Sequence, residues 1–152
     1  MVLKFYPSPS NITETGKEIL TKNPNHPGSL GIVVSEGLEF ALTYENAVYC
    51  LRSVLNHVLL HQTIIGLETK KQFELIDEYP DIMISCLGGG SNFGGFALPF
   101  IGEILRGEVD KDVKFIAAQT EAASSLVNGE YRYDFADHAE KTPLLKMYTL
   151  GA

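Results

Sequence analysis

The run from residue 81 to residue 120 leaves this chain few architectures. "DIMISCL" (81–87) is a near-continuous apolar stretch, "GGG" follows at 88–90, a helical pattern runs from about Phe93 to Arg106, and "KFIAAQT" (114–120) is a second apolar stretch. Apolar runs of strand length without polar alternation mark strands covered on both faces. Strand, loop, helix and strand in that order form one βαβ unit, and its right-handed crossover makes the two strands parallel. The expected fold class is therefore α/β, built from parallel-sheet βαβ units.

The remaining segments read less sharply. "VLKFY" (2–6) alternates and is expected as a strand, while "PSPS" breaks regular structure and leaves Ser10 or Asn11 to cap "ITETGKEIL" as a short helix. After the turn-rich "NPNHPG", residues 29–42 carry apolar side chains at helical intervals despite Gly31 and Gly37, and small residues inside a helix imply close packing. "AVYCL" (47–51) reads as a short buried strand. "HQTIIGLETKKQFELI" (61–76) reads as an amphipathic helix with Ile64, Ile65, Leu67, Phe73 and Ile76 facing the core. Beyond residue 121 the aromatic and polar "NGEYRYDFADHAEKTPLLKMYTLGA" has no clear period.

Composition excludes several classes of function. The chain has 152 residues, 45% apolar and 20% charged, which suits a soluble globular domain with a substantial core. Its net charge of -7 argues against nucleic acid, since affinity for a phosphate backbone comes from clustered cations. The adjacent pair Lys70 and Lys71 sits with Glu68 and Glu74 and reads as a solvated helix face. Cys50 and Cys86 end apolar runs and are expected to be buried free thiols. No N-terminal signal and no window of eighteen uncharged apolar residues is present, so no membrane span is expected and the cytoplasm is the default location. His57 and His61 are spaced to share one helix face, but no glutamate follows His57 and no third ligand is evident, so a polar structural role is expected over a metal site.

The glycine loop carries the chemistry. A dinucleotide fingerprint counted from Gly88 and Gly90 meets Phe93 where glycine is needed. A Walker loop counted from Gly89 reaches Gly94 and then Gly95 instead of lysine, and a nucleophile elbow at Ser91 fails on Phe93. What remains is a row of bare N–H groups from Gly88, Gly89 and Gly90, with the Ser91 hydroxyl and the Asn92 amide, at the start of a helix. That set suits a monophosphate dianion held by hydrogen bonds and the helix dipole. The competing reading is a tight turn, which seldom needs three consecutive glycines.

"CLGGGSNFGGF" resembles the cofactor-phosphate loop of the tryptophan synthase β chain, and "YPSPSNITETGKEIL", "NPNHPGSLGIVVSE", "LLHQTIIGLETKKQ" and "NGEYRYDF…TPLLKMYTLG" resemble its second, longer type. The likeness covers nearly the whole chain. It implies the architecture of fold type II pyridoxal-phosphate enzymes, here incomplete. Residues 1–74 would correspond to the later part of the N-terminal domain, with its mobile segment, and 75–152 to the first part of the C-terminal, cofactor-phosphate-binding domain. Carried over, Gly88, Gly89, Gly90, Ser91 and Asn92 match the phosphate cradle of pyridoxal 5'-phosphate. Ser53 matches a small hydroxyl residue near the cofactor, although Arg52 stands where the family more often has glycine.

The resemblance implies a lyase that eliminates the β-substituent of L-serine or O-phosphoserine and adds indole, giving L-tryptophan. Such chemistry needs a Schiff-base lysine. In the family that lysine follows a histidine upstream of the matching segments, and none of the lysines here stands in such a motif. The chain is therefore expected to be an internal segment, inactive by itself, with weak or no cofactor binding and with apolar surface that drives homo-oligomerisation or association with a complementing fragment. Three alternatives stay open. One is another fold type II enzyme of the threonine synthase, cysteine synthase or serine dehydratase kind. The second is a non-catalytic assembly partner, and the third is a flavodoxin-like binder of a monophosphate.

Overall fold

The computed structural model describes residues 4–50 and 54–151. Contacts group the chain into two compact units, Leu51–Ala123 and a second made of Met1–Cys50 with Ser124–Ala152.

The central unit holds the expected βαβ element. Helix α3 (Asn56–Leu75) is followed by strand β1 (Ile82–Cys86), helix α4 (Ser91–Leu105) and strand β2 (Lys114–Ala118); the labels count α1 and α2, described below. The two strands pair in parallel, Ile82 opposite Lys114 through Cys86 opposite Ala118. Met83, Phe100 and Val113 form the core, with Phe73, Tyr79, Phe96, Ile104 and Phe115 packed around them. At its margin the Tyr79 hydroxyl donates to Glu103 Oε2 (3.2 Å), and Glu103 pairs with Lys70. Burial, then the charge and hydrogen bond of Glu103, push the Tyr79 phenol up to about 12.

Helices α3 and α4 meet at glycines. A Cβ on Gly95 would stand 2.5 Å from Gln62 Cβ, and one on Gly66 would stand 2.5 Å from the Phe96 carbonyl oxygen. This backbone-to-backbone approach explains why the α3 core stripe differs from the predicted one. Only Phe73 of the five expected residues joins the core, whereas Ile64, Ile65, Leu67 and Ile76 are exposed. The helix also begins at Asn56 rather than near 61; Leu55 caps it without a side-chain hydrogen bond, so no sequence signal announces the start.

Strand β1 is covered on one face, not two. Met83 is 2% exposed while Ile82 and Ile84 are 56% and 60% exposed, because α4 packs on the Met83 side and no element of this unit covers the other among the described residues. Cys86, expected to be buried, is exposed, and so is Cys50.

In the second unit, α1 (Glu14–Lys22) packs on α2 (Leu30–Thr43), and a short helix α5 (Ser125–Asn128) leads into an antiparallel hairpin of β3 (Glu130–Asp134) and β4 (Leu145–Thr149). The hairpin falls where the sequence showed no clear period. Two expected strands are absent among the described residues: residues 4–6 of the 2–6 run and 47–50 of the 47–51 run form none, and the rest of each lies outside the described residues. Neither run meets a strand to pair with, and a β-former without a ladder partner gains little. Thr13 caps α1 in place of Ser10 or Asn11, accepting from the Gly16 N–H at 3.0 Å. Ser10 is occupied elsewhere, since its N–H and hydroxyl donate to Glu36 Oε1 at 2.9 and 3.0 Å.

Buried and half-buried carboxylates organise this unit around α2. Glu36 also accepts from the hydroxyls of Ser8 and Thr13, and Glu39 accepts from the Glu14 N–H and from the N–H and hydroxyl of Thr15. One turn before Glu39 on α2, the Ser35 hydroxyl donates to Asp137 Oδ2 at 2.6 Å. Burial pushes these three carboxyls up, but their hydroxyl and N–H donors outweigh it and hold each below the ordinary carboxylate range. A carboxyl whose folded value is depressed stabilises above its unfolded value, about pH 4, and loses that stabilisation as the pH falls through the folded value. The urea midpoint should therefore be flat from pH 7 to about pH 5 and fall below about pH 4. Glu36→Gln should flatten the fall, and a midpoint that rises on acidification would contradict the carboxylate account.

Candidate functional site

Strand β1 delivers the chain to the glycine loop. The Leu87 N–H donates to the Ala118 carbonyl at 2.8 Å as the last rung of the parallel ladder, residues 88–90 turn, and α4 starts at Ser91. Gly90 makes the turn with φ of +113°, a conformation strained for any residue with a Cβ. Its carbonyl accepts from the Gly94 N–H at 2.8 Å to open the helix. No side chain caps α4, so the N–H groups of its first turn point outward without intrahelical acceptors. Gly88 differs from Gly90 in its backbone, since its φ is not positive, but a Cβ at either position would meet nothing within 4 Å. The described residues thus leave the backbone at Gly88 and Gly90 open on its Cβ side.

Ser91 is buried at the first helical position and Asn92 is exposed beside it. The Asn92 side-chain oxygen accepts from the Ser85 hydroxyl of β1 at 3.1 Å, a partner that the apolar reading of the strand overlooked. Between residues 82 and 102 there is no lysine, arginine, aspartate or glutamate. An anion at this loop would meet backbone donors and the positive end of α4, with no nearby carboxylate in this stretch to repel it. The loop thus gathers Gly88, Gly89, Gly90, Ser91 and Asn92 at the carboxyl end of a parallel strand, the edge where α/β sheets bind ligands. Ser53 lies outside the described residues. Among the described residues no cluster of His, Cys, Asp or Glu could hold a metal ion, and no helix is long and apolar enough to cross a membrane.

No family model matches the chain. Individual proteins do. It is 62% identical over 145 residues to tryptophan synthase beta chain 2 of Methanothermobacter thermautotrophicus, covering 95% of this chain and 33% of that protein. Tryptophan synthase beta chain 2 of Thermotoga maritima is 58% identical over 148 residues, 97% of this chain and 34% of the relative. The protein of the same name from Pyrococcus furiosus is 58% identical over 148 residues, 97% and 32% of the two chains.

This chain is a relative of tryptophan synthase beta chain 2. The likeness expected from the glycine loop and its flanking segments is borne out, as is the α/β class with a small parallel sheet. The chain spans about one third of the length of the curated tryptophan synthase beta chains it matches.

Proposed function

We propose that this chain is the part of a pyridoxal-phosphate-dependent, tryptophan synthase β-like lyase that holds the cofactor phosphate, with Gly88, Gly89, Gly90, Ser91 and Asn92 as the cradle and Ser53 near the cofactor. In this reading 1–74 belongs to the N-terminal domain of the whole enzyme and 75–152 to the C-terminal one, the donor is L-serine or O-phosphoserine, and indole is the acceptor. The observation that carries it is the identity of 58–62% with tryptophan synthase beta chain 2 along nearly the whole chain, glycine loop included. The open space at Gly88 and the uncapped first turn of α4 fit a phosphate group. When bound, the cofactor supplies an electron sink. The residues of this chain bind and orient its phosphate.

The 152 residues alone are proposed to be inactive. None of the four histidines is followed by lysine: Pro27, Val58, Gln62 and Ala139 stand there instead. The exposed Ile82 and Ile84 face of β1 supports a second reading, in which the chain associates with a complementing piece or with its own copies.

Titration of the purified chain with pyridoxal phosphate, followed by borohydride reduction and mass analysis, tests both points. Weak binding competed by inorganic phosphate, or none, with no adduct on a single lysine, is expected. A reducible absorbance band with an adduct at one lysine would overturn the inactivity. Binding of the cofactor that inorganic phosphate does not compete would overturn the cradle.

A further inference from the structure

We infer that Ser85 is a positioning residue for the phosphate cradle: its hydroxyl engages the side-chain oxygen of Asn92 and so holds the Asn92 N–H groups available to an anion at Gly88–Gly90. The inference rests on the cradle reading above and adds to it a residue outside the glycine loop.

Ser85 breaks the pattern of its own strand. It is the one hydroxyl in "IMISCL", and it stands two residues from Met83, hence on the same face of β1, the face that packs on α4. A polar residue in a core-facing row is a local inconsistency of the kind that functional sites retain. Here the hydroxyl has a specific partner, since Ser85 Oγ donates to Asn92 Oδ1 at 3.1 Å, linking the end of the strand to the second residue of the helix.

The chemistry of the carboxamide does the rest. Asparagine offers one oxygen and two N–H donors. With the oxygen engaged on the strand, both donors stay free at an exposed position, and no partner for them is present among the described residues. Without Ser85 the carboxamide can rotate and present its oxygen, an acceptor, to the anion. A neutral donor bound to an anion contributes more than one bound to a neutral group, so the orientation of this amide matters for affinity.

The test is an NMR titration of the 15N-labelled chain with inorganic phosphate. It reads the backbone amides of residues 88–92 for affinity and the Asn92 side-chain N–H2 resonances for orientation. Asn92→Ala is expected to weaken phosphate binding about tenfold, and Ser85→Ala by at least about threefold. The double variant should bind no more weakly than Asn92→Ala alone, and Ser85→Thr should restore binding by restoring the hydroxyl. The Asn92 N–H2 resonances should shift in Ser85→Ala before any phosphate is added. Unchanged affinity in Ser85→Ala, or losses that simply add in the double variant, would overturn the positioning role while leaving the cradle intact. A wild-type chain whose amides at 88–92 ignore phosphate would overturn the cradle itself, and the inference with it.

Discussion

Replacing Asp137 with alanine should destabilise the unit built on α2 by roughly 3–5 kcal/mol. The side chain is 2% exposed, and its two oxygens accept from the Ser35 hydroxyl (2.6 Å), the N–H groups of Lys141 (3.0 Å) and Thr142 (2.9 Å) and the Thr142 hydroxyl (2.8 Å). Truncation leaves these donors in a site that water enters poorly, and an unsatisfied buried donor costs about 1–3 kcal/mol. The loss also falls where the chain joins itself across 102 residues of sequence. Beside this bond, the Ala139 N–H donates to Ser35 Oγ at 2.9 Å and the His138 N–H to the Gly31 carbonyl at 3.3 Å, so the loop between β3 and β4 is seated on α2 by the same cluster. Urea unfolding should show the reduced stability, and amide exchange should show lost protection in residues 130–149. A loss under about 1 kcal/mol would mean that the donors find water and that the cluster is not the seat of the hairpin.

Phe100→Ala should cost about 3–5 kcal/mol in the βαβ unit, the usual range for emptying a large aromatic site. Phe100 is fully buried, and its ring meets Tyr79 at 5.5 Å, Phe73 at 6.4 Å and Phe96 at 6.5 Å between centroids, all edge-on. Those three rings come from α3, the loop before β1, and α4 itself, so the cavity would loosen every surface that holds α4 on the sheet. The position of the first turn of α4, and with it the glycine loop, depends on that packing. Phe100→Leu keeps most of the volume and should cost less than about 2 kcal/mol. Equal losses for the two variants, measured by thermal unfolding, would show that ring geometry outweighs volume at this site.

The two units differed in how much could be read from the residues. The βαβ element was legible because each part carries a local signal: largely apolar runs at 81–87 and 114–120, a glycine punctuation, and a helical period between them. The β3–β4 hairpin was not. Its aromatic residues serve one another across the pair, as where Tyr131 lies opposite Tyr148 with ring centroids 4.9 Å apart, and a cross-strand partner seventeen residues away leaves no period along the chain. The described parts of two expected strands, 4–6 and 47–50, erred in the other direction, since β-forming composition without a partner strand makes no sheet. The division by contacts, at 50/51 and 123/124, also does not coincide with the 74/75 division that the resemblance implies. Contacts record packing within this chain, whereas the resemblance records correspondence with a protein three times as long.

Sequence alone determined the α/β class, the place of the glycine loop between a strand and a helix, and the kinship with tryptophan synthase beta chains, because all three reside in contiguous residues. Tertiary structure decided that Gly90 takes a positive φ while Gly88 does not, that both stand beside open space, that α3 and α4 touch through Gly66 and Gly95, and that Ser85 meets Asn92. It also decided that Glu36 and Asp137 are buried and Glu39 half-buried structural carboxylates, a role that their spacing in the chain does not reveal. Each of these is a distance or a dihedral that arises from how the elements pack, and such quantities exist only once the chain has closed on itself.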